Sequence, residues 1–163
     1  YFTDESTDDY DLIVCMVGSL DAVYLTTVDE WRDHLSHLLD CFARSAPRAG
    51  ILAVGIPPTS ALRLVPEVAA AVIDARVSEL NDVTLEAASF RAGLDYLPFS
   101  PPAEPDGDRH RSAATYGLWA ALIAPHAARL LEDAAAARAA LPEASGDQAR
   151  VEKAASNAAA DGS

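Results

Sequence analysis

A histidine close to two carboxylates and a helix start is the part of this chain best suited to chemistry. Residues 106–112 have the sequence DGDRHRS and lead directly into an apolar helical pattern. A carboxylate that holds an imidazole in one orientation allows it to accept a proton from a nucleophile. The cluster therefore predicts a general base, His110, with Asp106 or Asp108 as its orienting group. We expect the nucleophile that it activates to lie outside this chain.

Composition limits the partners that such a site could serve. The chain has 163 residues, 50% of them hydrophobic, and a formal net charge of −13 with a pI near 4.5. This acidity argues against nucleic acid and against an anionic membrane surface, because both attract cationic patches. No apolar run approaches the roughly 20 residues of a membrane span. The length fits one domain followed by a tail.

The cysteines and the first residue bear on the chain's context. Cys15 lies in an apolar run and Cys41 in a helical pattern, so both are predicted to be small buried hydrophobes rather than disulfide partners. The chain begins at Tyr1, and its single methionine is Met16. We expect the natural start to lie upstream, where a secretion signal would also lie, so the sequence leaves both a cytoplasmic and a secreted location open.

Three apolar runs predict buried strands that must position the histidine cluster. They cover residues 12–17, 51–56 and 94–99, and glycine or proline follows or closes each of them. The first of them is unbroken, and its length is typical of a parallel strand covered on both faces.

Helical patterns separate the predicted strands. A capping box formed by Thr27 and Glu30 begins a helix that we expect over residues 28–45, after a short polar turn. A second helix is predicted from Pro66 to about Ser89, with residues 81–82 as the place where it could break.

A third helix follows the histidine cluster. Ser112 is its predicted N-cap, and its apolar residues include Tyr116, Trp119, Leu122 and Ile123. Pro125 is expected to kink or restart it.

Alternating strands and helices predict a three-layer α/β/α domain with a parallel, flavodoxin-like sheet. Ligands bind such sheets outside the carboxyl ends of the strands. The loops expected there are 18–27, 57–65 and 100–111, and the last contains His110. We expect an acidic lead-in at 1–10, the domain at 11–133, and a frayed or disordered alanine-rich tail at 134–163.

The other histidines are less promising. His34, His37 and Asp40 could in principle meet at a metal, but no converging further ligand is evident, so solvated side chains are the preferred interpretation. His126 lies late in the last helix, and we assign it no catalytic role.

Four segments resemble the SGNH hydrolases, the GDSL-type esterases and lipases. Residues 110–114 read HRSAA and resemble the family's fifth block, in which an Asp-x-x-His pair precedes the last helix. Residues 11–22 resemble the third block, a strand that runs into Gly-x-Asn-Asp. The strands that end near Pro57 and Pro98 follow in the family's order. The resemblance covers about residues 9–133.

The resemblance implies an acyl-transfer enzyme that needs no metal or cofactor. His110 would be the base, and Asp106 is preferred over Asp108 as its partner because one inserted residue restores the family's Asp-Gly pair. Gly18, Leu20 and Asp21 would form the oxyanion loop. The substrate would be a carboxylic ester or an acyl-sugar. The family's Gly-Asp-Ser-Leu serine, on an N-terminal βα unit, would precede Tyr1.

Departures from the family pattern leave alternatives open. Leu20 replaces the asparagine that donates to the oxyanion, and losing such a donor costs about 100- to 1,000-fold in rate. Ser19 is rejected as nucleophile because too little chain separates it from His110. The chain could instead be a catalytically dead binding module, or an incomplete sheet without a function of its own. We expect the 163 residues alone to be inactive.

Overall fold

A three-stranded parallel sheet forms the centre of the fold. The computed structural model describes residues 10–59, 66–102 and 112–140. The strands lie in the order β1-β2-β3, so each one is next to its neighbour in the chain. Their bounds are Leu12–Cys15 for β1, Gly50–Val54 for β2 and Leu94–Leu97 for β3. The predicted parallel strands are confirmed, although each ends two residues earlier than expected.

Four helices accompany the sheet in the described part of the chain. Their bounds are Ser19–Val23 for α1, Val28–Ser45 for α2, Glu67–Phe90 for α3 and Ala113–Ala140 for α4. The molecule is therefore a mixed α/β protein. The short helix α1 lies where the sequence predicts only a polar turn. It has no side-chain cap and only five residues, so no periodic pattern could reveal it.

Helix α2 begins and ends as its sequence predicts. Glu30 N–H donates to the Thr27 hydroxyl at 3.3 Å, and Thr27 N–H donates to the Glu30 carboxylate at 2.9 Å. This reciprocal capping box satisfies backbone donors that a helix start leaves unpaired. Trp31, Leu35 and Leu39, spaced four residues apart, form the buried stripe.

Helix α3 is continuous through residues 81–82, so the break considered there is wrong. Leu80 and Val83 are buried on either side of that point, and this packing holds the helix together. Asn81 forms hydrogen bonds outside the helix instead of interrupting it. Tertiary contacts therefore outweigh its modest helix propensity.

Helices pack on both faces of the sheet. Successive side chains of β2 point to opposite faces, so alternate residues join different cores. Ala53 joins one core with residues of α2 and α3, whereas Leu52 and Val54 join a second core with residues of α4. Helices α2 and α3 connect consecutive parallel strands and share a face, as crossovers of one hand require.

Helix α4 runs antiparallel to the strands. Near its start, Trp119 packs edge-on against Phe99, which lies just beyond β3, with ring centroids 5.1 Å apart. Ten residues later, Arg129 pairs with Asp95 near the beginning of β3. The helix therefore starts at the carboxyl edge of the sheet.

The sequence predicts the start of α4 correctly but not its length. Thr115 N–H donates to the Ser112 hydroxyl at 3.2 Å, which confirms the predicted N-cap. Pro125 lies inside the helix and does not restart it. The helix also continues past Asp133 to Ala140, into the range where a frayed tail was expected. Residues 141–163 lie outside the described part of the chain.

The chain divides into two units, Tyr1–Leu131 and Glu132–Ser163. The first contains the sheet and its packed helices. The described part of the second is the end of α4. Among the described helices, none combines the length and apolar character that a membrane crossing needs.

Candidate functional site

Three loops meet at the carboxyl edge of the sheet. A Cβ atom placed on Gly18, after β1, would lie 2.7 Å from Ile56 Cδ1, so the first two loops are in direct contact. Gly55 N–H donates to the Leu97 carbonyl at 2.9 Å, which joins the second loop to the end of β3. This is the edge at which parallel sheets bind ligands.

Gly18 makes a turn that other residues adopt only with strain. Its φ is 101°, in the left-handed region, and it is buried. The Trp31 ring lies beside it as well, 2.8 Å from the position that a Cβ would take. Glycine is therefore required here by both conformation and space. Its carbonyl accepts the Ala22 N–H at 2.9 Å as α1 begins.

The three residues after Gly18 differ sharply in exposure. The Leu20 side chain is 59% exposed on the first turn of α1. Asp21 is half-buried and turned toward the following loop, where its carboxylate accepts the Thr26 hydroxyl at 3.4 Å and its carbonyl accepts the Thr26 N–H at 2.9 Å. Ser19 is half-buried at the first position of α1. Segment 18–21 thus presents a leucine, rather than an amide donor, to solvent.

Helix α3 holds the loop that follows β2. The Asn81 side chain accepts the Ile56 N–H at 2.8 Å and donates to the Ile56 carbonyl at 3.0 Å. Two turns earlier in the helix, Asp74 accepts the Thr59 N–H at 2.8 Å. Sequence reasoning missed both residues. The available signal was an asparagine in the middle of a helix, where its propensity is poor unless its side chain bonds elsewhere.

The Tyr96 hydroxyl also lies against this loop, 2.7 Å from the position that a Cβ on Gly55 would take. Burial, and to a smaller extent the Asp82 carboxylate, raises the pKa of Tyr96. The phenol therefore stays neutral and can act as a hydrogen-bond donor. Gly55 is the second position in these loops where a side chain would not fit.

The predicted base and its partners, His110, Asp106 and Asp108, lie outside the described residues. What the structure does place is Ser112, two residues after His110, at the start of α4. That start lies at the carboxyl edge, as the contact between Trp119 and Phe99 requires. The described start of α4 therefore lies at the end of the sheet where the loops after β1 and β2 meet.

The remaining histidines and cysteines do not form a second cluster. His34, His37 and His126 are exposed. Within the described ranges, no three His, Cys, Asp or Glu residues come together as metal ligands would. Cys15 is buried at the end of β1, and burial raises the pKa of its thiol. Cys41 is free and half-buried, so the cysteines are confirmed as unpaired.

Two shallow grooves lie at the opposite end of the sheet. One, of about 160 Å³, runs between α2 and α3, and the other, of about 230 Å³, reaches the start of β3. Arg91 lines both, and its guanidinium is held by Asp40 at 2.7 Å and by Ser36 at 2.9 Å. Both are smaller than the roughly 300 Å³ at which ligand pockets begin. They also lie away from the converging loops.

Comparison with known proteins does not assign a family. No family model, no curated protein and no solved structure matches this chain.

Proposed function

We propose that this chain is the carboxyl-terminal part of an SGNH-type serine ester hydrolase and supplies its acid–base residues. Its three-stranded sheet would be the later half of a flavodoxin-like α/β/α domain. The substrate would be a carboxylic ester or an acyl-sugar. The nucleophilic serine would come from polypeptide outside these 163 residues.

The observation that carries the proposal is the start of α4 at the carboxyl edge. Ser112, the N-cap of α4, lies at the edge where the loops after β1 and β2 meet. His110 is two residues from Ser112. A base at that end of the sheet would be next to segment 18–21, which the proposal uses as the oxyanion loop.

The proposed reaction is an acyl transfer in two steps. The serine oxygen attacks the ester carbonyl carbon while His110 accepts the hydroxyl proton, and His110 then gives this proton to the departing alcohol. Water then attacks the acyl carbon while the same imidazole accepts one of its protons, and the imidazolium gives that proton to the serine oxygen as the acyl–serine bond breaks and the acid leaves. Asp106 or Asp108 would hold the imidazole in the tautomer that each transfer needs.

Leu20 is expected to lower the kcat of the proposed enzyme. In the proposed alignment it replaces a side-chain donor to the developing oxyanion, and it is 59% exposed on the first turn of α1. A leucine cannot donate a hydrogen bond, so turnover would depend on the remaining backbone donors. Removing a side-chain donor to the oxyanion lowers kcat by about 100- to 1,000-fold.

The test is to assay the full-length product of the gene on short-chain p-nitrophenyl esters, beside its His110→Ala variant. Turnover that His110→Ala abolishes supports the proposal, and Leu20→Asn should then raise kcat. His126→Ala, an exposed histidine of α4, is the matched control and should leave turnover unchanged. Serine-dependent turnover by the 163 residues alone would contradict the placement of the nucleophile.

The exposed Leu20 also favours a second candidate, a binding module that has lost catalysis. Its exposed neighbours Val17, Tyr24 and Leu25 give this end of the molecule an apolar surface. Such a surface suits an acyl chain better than a charged transition state. Full-length protein that binds a fatty acyl ester but does not turn it over, even after Leu20→Asn, would favour this candidate.

A further inference from the structure

Asn81 is the one described side chain that bonds both the N–H and the carbonyl of a residue in the converging loops. Its carboxamide accepts the Ile56 N–H at 2.8 Å and donates to the Ile56 carbonyl at 3.0 Å. A carboxamide carries an acceptor oxygen and a donor nitrogen on one carbon atom, so it can make both bonds to one residue at once. The backbone at Ile56 is therefore fixed in position and orientation from α3.

Ile56 transmits that position to the loop after β1. Its side chain is 2% exposed, and its Cδ1 and Cγ1 atoms lie 2.7 Å and 3.1 Å from the place that a Cβ on Gly18 would take. The Ile56 side chain therefore fills the space beside Gly18 that a larger residue would need. The turn at Gly18 is thus limited on one side by a residue that Asn81 holds.

The adjacent residue of α3 holds a second group that packs beside Gly18. The Leu80 carbonyl accepts the Trp31 indole N–H at 3.1 Å, and the Trp31 ring lies 2.8 Å from the same Cβ position on Gly18. Leu80 and Trp31 are both buried. One turn of α3 therefore controls both groups that enclose Gly18, one through a backbone carbonyl and one through the Asn81 side chain.

We propose that Asn81 is a positioning residue for the oxyanion loop, acting through Ile56 on the turn at Gly18. The catalytic part of this statement rests on the proposed ester hydrolase, whereas the coupling between Asn81 and Gly18 does not. Asn81 touches no reacting atom. Its effect on turnover comes from the placement of segment 18–21, because small errors in the position of a donor are costly in catalysis.

The coupling is tested by amide hydrogen exchange on the 163-residue chain. In Asn81→Leu, exchange at Ile56, whose N–H loses its acceptor, and at Ala22, whose N–H donates to the Gly18 carbonyl, should become about ten-fold faster or more, because two hydrogen bonds to Ile56 are lost. Leu52, at the centre of β2, should be unaffected. Asn81→Asp keeps an acceptor for the Ile56 N–H, so its effect at Ile56 should be intermediate, and it serves where the leucine variant folds poorly.

Ser78→Leu is the matched control, because it introduces the same side chain at an exposed position of the same helix. It should change exchange at neither loop. Unchanged exchange at Ala22 in both Asn81 variants would overturn the coupling. So would equal acceleration in Ser78→Leu, which would show a general loosening of α3.

Activity of the full-length protein tests the catalytic part separately. Asn81→Leu should lower kcat by about 10- to 100-fold with a much smaller change in KM, as expected when a transition-state donor is misplaced. An unchanged kcat together with faster exchange at Ala22 would overturn the positioning role alone. Absence of turnover in the wild-type protein would instead contradict the proposed function and leave the exchange result standing.

Discussion

Gly18 combines two separate requirements for a missing side chain. Its φ of 101° is unfavourable for any residue with a Cβ, and Ile56 and Trp31 occupy the space that a Cβ would need. Gly93 has the first requirement without the second, since its φ is 79° and no atom lies within 4 Å of the position that a Cβ would take. Comparing substitutions at the two glycines therefore distinguishes the cost of conformational strain from the cost of steric overlap.

Gly18→Ala should destabilise the protein by about 2 to 5 kcal/mol, the sum of left-handed strain and an overpacked contact. Gly93→Ala should cost only the strain, about 1 to 2 kcal/mol. Urea unfolding of both variants beside the wild type measures the difference. Equal losses would show that Ile56 and Trp31 move aside without cost.

The candidate site could be predicted from the sequence only in part. The turn at Gly18 follows from a glycine that closes an apolar strand, and Ser112 follows from capping chemistry, so both were accessible. Asn81 was not, because its partner is 25 residues away and no local pattern links an asparagine inside a helix to a loop backbone. His110 and its carboxylates stay predictions.

At the scale of elements, α2 shows how local chemistry fixes a boundary. Glu30 is held by the Thr27 hydroxyl and by the Thr27 N–H, and these bonds lower the pKa of its carboxyl group below the ordinary 4.5. A group with a lowered pKa in the folded state stabilises the fold above its unfolded pKa. That contribution is lost as the pH falls through the folded pKa.

Glu30→Gln should therefore lower the free energy of unfolding at neutral pH, with a difference from wild type that shrinks as the pH falls below about 4.5. Chemical unfolding at a series of pH values measures it. Glu67→Gln is the control, since Glu67 is in the first turn of α3 behind Pro66, which provides no side-chain cap. A difference that grows toward low pH would contradict the capping explanation.

Sequence patterns predicted long elements better than short ones. The apolar stripe and capping box of α2 determine its bounds, and three apolar runs determine the parallel strands. The five residues of α1 carry no such pattern. Helix α4 passes through Pro125 because its apolar residues Ile123, Ala127 and Leu130 pack against the sheet on both sides of the proline.

At the scale of the whole molecule, β1 is an edge strand within the described part of the chain, with β2 as its sheet neighbour there. Val14 in this strand is 46% exposed, and Val17 just beyond it is 41% exposed. Strand edges with exposed apolar side chains favour pairing with other chains. We therefore expect copies of the 163-residue chain to associate with one another as the protein concentration rises.

Val14→Lys should reduce this association, because a charge on an edge strand opposes pairing. Sedimentation velocity over a range of concentrations measures it. Val68→Lys adds the same charge at a 94% exposed position of α3 and should leave association as in the wild type. If the two variants associate equally, net charge rather than the β1 edge governs the behaviour.

The chain's two tryptophans lie in different cores. Trp31, on α2, is in the core that α2 and α3 form with one face of the sheet, and Trp119, on α4, is in the core on the other face. Each indole therefore reports on one face of the sheet. Replacing either with phenylalanine would leave a protein whose fluorescence follows the assembly of a single layer. The order in which the two layers close on the strands during refolding can thus be read from intrinsic emission, without an added label.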